Sequence, residues 1–479
     1  MAYTRPDVYI NDVSAGMSVQ AASATIGILV GVTPSGPLGS AGFVESWTEF
    51  IEMYANGLES PFLAGFDLSY AAYGFFQNGG NQLYVVRVAK GAVAETGTGT
   101  TGKNETLKFT SKYKGSFGTV VTIAKSADWV ATTNEVFDVT IKVSDAEDGS
   151  VTLREVTLAT IVDTINSDVK AKNWVVAEWV ASTATALFEE TITLSGGNNG
   201  TTGLADSDYI SVLSQCDSLD DASFIAIPGI TTAAVNAALM EYGDAHKLIP
   251  IIEEPVNTDY KTIKTYRKSI SAFGGVLLYP WINVSDPLTG GTRAVPACGH
   301  YMGIWARTVM SRGIGKAPAG IDAIIRGALS LAVDITDTIV GSLNPVGIVC
   351  LMARTNVGLV VWGARGLSND STMRYVTDTL INYTIKKSLY SGTQFAVFEQ
   401  NDEQTWGTVT SVCKGFLETL RLERVLRGEA AEAYYVVCDD SINTQASIDA
   451  GIMNVEIGYA PNKPAEFVVI KLAHQVSAS

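Results

Sequence analysis

Short apolar runs alternate with helical patterns along much of the chain. Ala24–Val32, Ser223–Pro228, Leu248–Ile252 and Val276–Tyr279 are apolar runs of strand length. Such runs, when turn residues bound them, are typical of buried strands. The segments with apolar residues at the helical period are Trp47–Tyr54, Pro61–Phe76, Thr231–His246, Lys261–Phe273 and Pro296–Ser311. Because alternating strands and helices favour parallel pairing, the sequence predicts an α/β core with a mostly parallel sheet.

The pattern changes between Gly91 and Gly203. Apolar and polar residues alternate here, as in Val136–Val143 and Val151–Leu158, and Gly-rich stretches stand at both ends. A period of two residues is typical of half-buried strands. The sequence therefore predicts an inserted, mainly β domain over residues 92–202, which divides the α/β core domain into residues 21–91 and 203–366.

The last part of the chain is predicted to be an α+β domain over residues 367–479. Its predicted elements are the helices Tyr375–Tyr390 and Trp406–Arg427 and the strands Tyr434–Asp439, Met453–Tyr459 and Ala465–Leu472. At the other end, residues 1–20 have no helical pattern, and Pro6 interrupts their start. We predict that they form an extended N-terminal arm. The whole chain is thus a multi-domain α/β protein with extended arms at both ends.

Both ends of the chain are β-prone but have no obvious partner strand. The residues concerned are Val8, Tyr9 and Ile10 in the N-terminal arm and Phe467, Val468, Val469 and Ile470 in the C-terminal strand. These segments can complete sheets of the same chain. They can also be lent to neighbouring subunits by strand addition, in which main-chain hydrogen bonds supply the affinity. The sequence leaves both alternatives open.

Acidic residues outnumber basic ones, 49 to 33, which gives a net charge of −16. A nucleic-acid-binding protein normally has a basic excess, so we expect no nucleic acid as a partner. Residues 412–428 are an exception, with four basic and two acidic side chains. Lys414, Arg421 and Arg424 can belong to a solvated helix face with salt bridges one turn apart. They can equally form a docking face for an acidic partner.

No group of residues indicates catalysis, a metal or a cofactor. Cys298 and His300 are the nearest to a catalytic pair, but positions two apart do not face each other on a helix. Gly97–Lys103 approximates a phosphate-binding loop, yet a strand is predicted after it, where such a loop requires a helix. We therefore expect no enzyme activity, no metal and no cofactor. An enzyme on a hydrolase-like α/β core is the alternative class.

Cysteine spacing and hydropathy bear on the compartment. The five cysteines contain no C-x-x-C pair, which predicts reduced and mostly buried thiols. No stretch reaches the roughly 20 apolar residues that a membrane span needs. Residues 1–7 also lack the basic and then apolar pattern of a leader. We expect the protein to be made in a cytoplasm and not to insert into a membrane.

One ordered series of short motifs extends over most of the chain. It comprises Pro6–Tyr9, Gly31–Pro37, Tyr84–Val88, Tyr113–Gly118, Tyr279–Trp281, Val295–Gly299, Gly303–Arg307, Arg312–Pro318, Leu343–Ile348, Val361–Arg365, Phe398–Asp402, Glu432–Asp439 and Ala460–Phe467. In this order the motifs resemble the contractile tail sheath proteins of bacteriophages and related injection machines. The chain departs from that family at Asp378 and Thr379, near a position that an arginine pair often occupies.

The resemblance implies a structural function. A sheath subunit would polymerise helically around an inner tube and contract to drive the tube through the host envelope for genome delivery. The alternative is the sheath of a tailocin or another phage-derived contractile injection system. The implied partners are copies of the same chain, the inner tail tube protein, and baseplate and tail terminator proteins. The implied location is the virion tail, after assembly in the host cytoplasm.

The resemblance also implies roles for particular segments. Val8–Ile10 and Phe467–Ile470 would be exchanged between subunits as strands. Lys414, Arg421 and Arg424 would contact the tube by charge complementarity, a type of contact that can be broken and remade. The inserted β-rich domain would lie on the outside of the sleeve, and the C-terminal domain would lie close to the tube.

Overall fold

The computed structural model describes residues 19–99, 107–144, 146, 148–180, 186–270, 274–467 and 469–470. These residues form two compact units. The smaller unit contains the described residues up to Ser23, Arg312–Ala317, and those from Thr377 onward. The larger unit contains Ala24–Ser311 and Pro318–Val376, within which the predicted insert lies. The domain boundaries derived from the sequence stay predictions.

The strands, in chain order, are β1 Gly27–Gly31, β2 Gly42–Val44, β3 Leu83–Arg87, β4 Thr96–Thr98, β5 Leu107–Ser111, β6 Val120–Lys125, β7 Phe137–Lys142, β8 Ser150–Val156, β9 Val175–Trp179, β10 Glu190–Thr193, β11 Phe224–Ala226, β12 Ile249–Glu253, β13 Val276–Tyr279, β14 Ile282–Ser285, β15 Thr292–Val295, β16 Ala328–Leu331, β17 Ile348–Arg354, β18 Gly358–Val361, β19 Tyr434–Val437 and β20 Glu456–Tyr459.

The helices are α1 Trp47–Phe50, α2 Leu68–Gln77, α3 Ile161–Ser167, α4 Ala171–Trp174, α5 Asp206–Ser211, α6 Ala233–His246, α7 Tyr260–Arg267, α8 Cys298–Arg312, α9 Asp337–Leu343, α10 Val376–Gly392, α11 Glu403–Leu422, α12 Ala430–Ala433 and α13 Gln445–Asp449. A π-helical turn, Ile51–Ala55, continues α1. Within the described part of the chain, no helix combines the length and the apolar character that a membrane crossing requires.

An eight-stranded sheet organises the larger unit. Its order is β18-β17-β13-β12-β11-β1-β3-β2. The inner strands pair in parallel, and only β2 and β18, at the two edges, pair antiparallel. All five residues of β1 are buried, as expected for a strand that is covered on both faces. The predicted mixed α/β class is therefore confirmed, with a mostly parallel central sheet.

The segment predicted to be β-rich contains two sheets and a core of its own. One sheet has the order β4-β5-β9 and the other β10-β6-β7-β8. Their apolar faces and α3 and α4 enclose a separate buried cluster. β4 pairs with β5, so part of the Gly-rich stretch at the start of the insert is a strand. The strand β5 also follows the glycine-rich motif Gly97–Lys103, as the sequence predicted.

Arg87, at the end of β3, joins the insert to the core. Its guanidinium is buried and donates to the carbonyl oxygens of Gly36 (3.0 Å), Lys114 (2.9 Å) and Asn199 (3.5 Å). Burial lowers the pKa of this guanidinium to about 10, so the side chain stays cationic at neutral pH. Because Lys114 and Asn199 lie on different segments of the insert, one side chain holds both against the core.

Glu95 stabilises the same junction between the insert and the core, from the side of the insert. Its buried carboxylate accepts hydrogen bonds from the N–H groups of Phe117 (2.6 Å), Gly118 (2.7 Å) and Thr119 (3.2 Å). Three successive N–H groups that converge in this way form an anion-binding nest. The Tyr113–Gly118 motif of the sequence thus forms a cradle for a carboxylate of the same chain.

Several predicted elements differ from the structure, among them two helices and one strand. The helix predicted from Pro61 begins only at Leu68. The helix predicted to end at Arg427 ends at Leu422, because Arg424 adopts a left-handed backbone conformation with φ 63°. The strand predicted over residues 465–472 is absent from the described residues of that range, 465–467 and 469–470.

Candidate subunit interfaces

The smaller unit is built on α10 and α11. Val409, Cys413 and Leu417 of α11 share one buried apolar cluster with Ile381 and Ile385 of α10. These spacings place each set on one side of its helix, which is the pattern that a helix needs in order to bury one face. The two helices supply the rigid base on which the exposed features of this unit lie.

The Phe398–Asp402 motif starts α11. The Asp402 carboxylate accepts the N–H groups of Gln404 (3.1 Å) and Thr405 (3.0 Å), which satisfies donors at the helix N-terminus. Asn401 accepts a hydrogen bond from the Trp406 indole at 2.7 Å. The motif therefore fixes both the first residue of α11 and the orientation of its first turn.

The smaller unit contains a two-stranded sheet with open edges. β19 and β20 pair antiparallel over four residue pairs, from Tyr434 with Tyr459 to Val437 with Glu456. In the described part of the chain the two strands pair only with each other. A two-stranded sheet is marginally stable alone, and its unpaired N–H and C=O groups offer a template for further strands. The sheet can therefore accept a strand from outside the described chain.

An apolar groove of about 840 Å³ borders β20. Its lining includes Leu389, Val409, Met453 and Ile457. Phe398 also lines it, and this side chain is fully exposed and has a positive φ of 70°. An apolar surface of this kind beside an open sheet edge is typical of an interaction site.

The C-terminal segment predicted for strand exchange is exposed. Phe467, Val469 and Ile470 are 74%, 80% and 77% accessible to solvent. Val468, in the same segment, and Val8, Tyr9 and Ile10, in the N-terminal arm, lie outside the described residues. In the described part of the segment, the apolar side chains are not used to complete a sheet of their own chain. The exchange between subunits stays a prediction.

The three cations assigned to tube contact have different surroundings. Lys414 is exposed on α11, and Arg421 lies seven residues further on the same helix, hence on nearly the same face. Arg424 lies beyond the end of α11, so the prediction that all three share one helix is wrong. The left-handed conformation of Arg424 ends the helix before that residue. The contact with a tube stays a prediction.

Arg421 is held by acidic and phenolic groups of its own unit. Its guanidinium donates to both Glu418 oxygens, at 2.8 and 2.6 Å, and Tyr434 donates to the same carboxylate at 2.9 Å. These hydrogen bonds lower the pKa of Glu418 to about 2. The salt-bridge alternative left open by the sequence therefore describes Arg421, whereas the Lys414 side chain is exposed.

Cys298 and His300 lie in the buried first turn of α8. All five cysteines are free and buried, which confirms that part of the sequence prediction. Burial raises the pKa of the Cys298 thiol well above its usual value and lowers that of His300 to about 4. At neutral pH this leaves a protonated thiol and a neutral imidazole. Both are shielded from solvent, so the pair cannot meet a substrate as the structure stands.

Sequence reasoning missed Glu253, the residue that organises this turn. Its buried carboxyl group accepts the N–H groups of Ala297 (2.5 Å) and Cys298 (3.0 Å) at the start of α8. Burial outweighs these hydrogen bonds and raises the pKa of Glu253 to about 8. The available signal was its position at the carboxyl end of β12, since polar groups gather at that edge of parallel sheets.

Glu253→Gln is expected to remove a pH dependence of stability. Below pH 4.5 the carboxyl group of the unfolded chain is protonated, as in the folded chain. As the pH rises from 4.5 to about 8, only the unfolded chain ionises, so the wild type loses stability. The loss is about 1.4 kcal/mol per pH unit for one proton. The glutamine carbonyl can still accept the same N–H groups, and it does not titrate.

The measurement is the free energy of unfolding by urea across that pH range. As the pH rises, the free energy of unfolding of the wild type is expected to fall relative to that of E253Q. The free energy of unfolding of the exposed control Glu59→Gln is expected to change with pH as that of the wild type does. The comparison isolates Glu253 from neighbouring Glu254, whose pKa burial raises to about 7. Parallel curves for the wild type and E253Q would contradict the assignment.

Comparison with known proteins finds a relative by sequence and several similar solved structures. No family model matches the sequence. A putative prophage major tail sheath protein of Pseudomonas aeruginosa (strain UCBPP-PA14) is 25% identical over 249 residues. The match covers 50% of this chain and 62% of the relative, so it spans less than two thirds of the relative's length.

Solved sheath structures cover almost the whole chain. The contracted helical sheath of the anti-feeding prophage is 20% identical, with a TM-score of 0.62, over 99% of this chain and 100% of that one. The contracted sheath complex of the extracellular contractile injection system PVC is 18% identical, with a TM-score of 0.60, over 99% of both chains. A sheath tail protein from Desulfitobacterium hafniense is 16% identical, with a TM-score of 0.61, over 90% of this chain and 94% of that one. The chain has the fold of contractile tail sheath proteins, and the resemblance predicted from its motifs is confirmed.

Proposed function

We propose that this chain is the structural subunit of a contractile tail sheath, which polymerises around an inner tube and contracts to drive it through a host envelope. The observation that carries the proposal is the fold, which matches a contracted helical sheath over 99% of this chain. The prophage tail sheath relative supports it independently. A tailocin or other injection system built from the same type of subunit is the second candidate, favoured by the similarity to the anti-feeding prophage and PVC sheaths.

Strand exchange is the proposed means of linking subunits. The two-stranded sheet β19–β20 supplies open edges, and the groove beside it supplies an apolar surface. The exposed apolar segment Phe467–Ile470 supplies a donor of matching character. Val8–Ile10 is the proposed donor at the other end of the chain. Added strands would give each subunit main-chain hydrogen bonds to its neighbours without a covalent link.

This function requires no catalysis. In the proposed mechanism, contraction exchanges one set of non-covalent contacts between subunits for a more stable set, while the arms keep neighbours joined. The energy is stored when the sleeve is assembled around the tube. The role would place the protein in the virion tail or an equivalent particle, with baseplate and terminator proteins at the ends of the sleeve.

Electron microscopy of the purified chain tests the proposal. Negative staining over a range of concentrations and salt is expected to show long hollow tubes. Should the chain need a template, co-expression with the tube protein from the same gene cluster is expected to give sleeved tubes. A chain that forms no tubes in either setting would contradict the proposed function. Capsid and terminase genes beside the gene would favour a phage over a tailocin.

Contact with the tube is proposed for Lys414 and Arg424, with Arg421 supporting the surface through Glu418. The double variant Lys414→Glu/Arg424→Glu is expected to reduce co-assembly with the tube by about tenfold or more, because it turns attraction to an acidic partner into repulsion. Co-sedimentation of chain and tube measures the effect.

The control variant for tube contact is Lys172→Glu/Lys268→Glu. It changes net charge by the same amount at two other exposed lysines. Arg421→Glu is measured separately, because placing a second carboxylate beside Glu418 would disturb the unit itself. Unchanged co-assembly of K414E/R424E would overturn the proposed tube contact, while leaving the sheath function open to the microscopy test.

A further inference from the structure

The described N-terminal residues are fastened to the end of α10. The N–H of Ala22 donates to the Ser388 hydroxyl at 2.8 Å, and this buried hydroxyl donates to the Thr384 carbonyl at 2.7 Å. One turn further along, the Val19 side chain fills the space that a Cβ on Gly392 would take. The first described residues, at the end of the N-terminal arm, are therefore held against α10, and we call this contact the N-root.

The chain is fastened a second time just before its exposed C-terminal segment. Lys463 pairs with the fully buried Asp378 carboxylate at 2.7 Å. The Asn462 side-chain amide donates to the Arg424 carbonyl at 2.7 Å, and the Asn462 backbone N–H donates to the Val425 carbonyl at 2.9 Å. We call this seat the C-root. Phe467, four residues after Lys463, is already exposed.

Both roots lie on the same helix. Asp378 stands in the first turn of α10, and Ser388 and Gly392 stand in its last two turns. Ten to fourteen residues of α-helix span roughly 15–21 Å. Between the roots, Ile381 and Ile385 lie in one buried apolar cluster with residues of α11. Tension applied at one root can thus be transmitted to the other through the backbone of α10, which is packed into the core of the unit at Ile381 and Ile385.

We propose that α10 is a strut that passes tension from the N-terminal arm to the C-terminal arm of each subunit. The inference rests on the proposed exchange of both arms between neighbours. The physical reason for such a strut is that the β19–β20 sheet is weak, because it has only four residue pairs. A pull on the C-terminal arm would open that sheet from its end, unless the chain is held before the pull reaches β20. Asn462 and Lys463 hold it there, and Asp378 supplies the buried anchor.

The strut is tested with variants that loosen one root each. Gly392→Ala displaces Val19 from the N-root, and its matched control Gly415→Ala places a methyl group into open space on α11. Lys463→Met removes the ion pair of the C-root, and Lys268→Met is its control at an exposed lysine. Because a buried carboxylate that has lost its lysine can weaken the fold itself, Asp378→Asn/Lys463→Met is measured beside it.

The first readout is the force of the first rupture when single chains are pulled by tags at their two termini. G392A, K463M and the D378N/K463M pair are expected to rupture at about half the wild-type force or less, since each lacks contacts that hold a root. G415A and K268M are expected to match the wild type. Equal rupture forces in the root variants and their controls would overturn the proposal.

The second readout is the continuity of contracted sleeves in electron micrographs. Sleeves of the root variants are expected to break into short pieces, whereas those of the controls stay continuous. Root variants that rupture early as single chains but contract as intact sleeves would also overturn the strut. A wild-type chain that forms no sleeve would count against the proposed function instead, and the pulling experiment would still decide whether the roots hold.

Discussion

Sleeves are not expected to form when Val469 and Ile470 are both replaced with aspartate. In the proposed assembly, these adjacent side chains lie on opposite faces of an added strand that is packed between subunits, where an unpaired buried carboxylate costs several kcal/mol. Two such charges would weaken association by more than about a thousandfold, since each 1.4 kcal/mol is a factor of ten. Both residues are largely exposed in the single chain, so its fold should be unaffected.

Sedimentation velocity and negative-stain microscopy measure this loss of assembly. The matched control is Val169→Asp/Val180→Asp, which adds two carboxylates at exposed apolar positions of the insert, 74% and 61% accessible. The control is expected to assemble like the wild type. If V469D/I470D formed sleeves at the wild-type concentration, the C-terminal segment would not be an exchanged strand. If the control also failed, added charge alone would explain the result.

Glu95→Ala is expected to destabilise the larger unit by about 3–5 kcal/mol. The substitution leaves three N–H groups without their acceptor: that of Thr119, which is buried, and those of Phe117 and Gly118, which are partly open to water. Each unsatisfied buried donor costs about 1–3 kcal/mol, and partial access of water to the turn reduces the sum. Since Asn199 and Ser116 contact each other beside this turn, the joint between insert and core should loosen as well.

Urea unfolding followed by tryptophan fluorescence measures the effect. Glu95→Gln keeps one acceptor oxygen and is expected to lose less stability than E95A. Glu59→Ala, at an exposed carboxylate, is the control and should stay within about 0.5 kcal/mol of the wild type. A similarly small change for E95A would mean that the nest around Glu95 does not hold the joint.

The elements predicted from local patterns agree well with the structure where the pattern is self-contained. The strand β13 has the predicted bounds, Val276–Tyr279, because a wholly apolar run bounded by glycine and proline has few other conformations. The helix predicted over Thr231–His246 is α6, which begins two residues later, after the cap Thr232. Such elements carry their own start and stop signals.

The elements that were wrong depend on contacts that the local pattern does not contain. α11 stops at Leu422 because the chain turns back through a left-handed Arg424 to meet Asn462, some forty residues further on. No sequence signal near Arg424 predicts this contact with Asn462. Similarly, the apolar residues of 465–472 have a clear strand pattern, but a strand forms only where it pairs with an edge, and the described residues of that range are not in a strand.

The sequence by itself determined the mixed α/β class of this protein, the elements that have strong local patterns, and its resemblance to tail sheath proteins. These conclusions rest on short-range periodicity and on motifs that are read locally. Only the tertiary structure decided which ionisable side chains are exposed and which are buried or paired. Arg421 is paired while Lys414 is exposed, Glu253 and Glu95 are buried against backbone N–H groups, and both arms are rooted on α10. The reason is physical: each of these states depends on burial and on partners distant in sequence, which appear only when the chain folds.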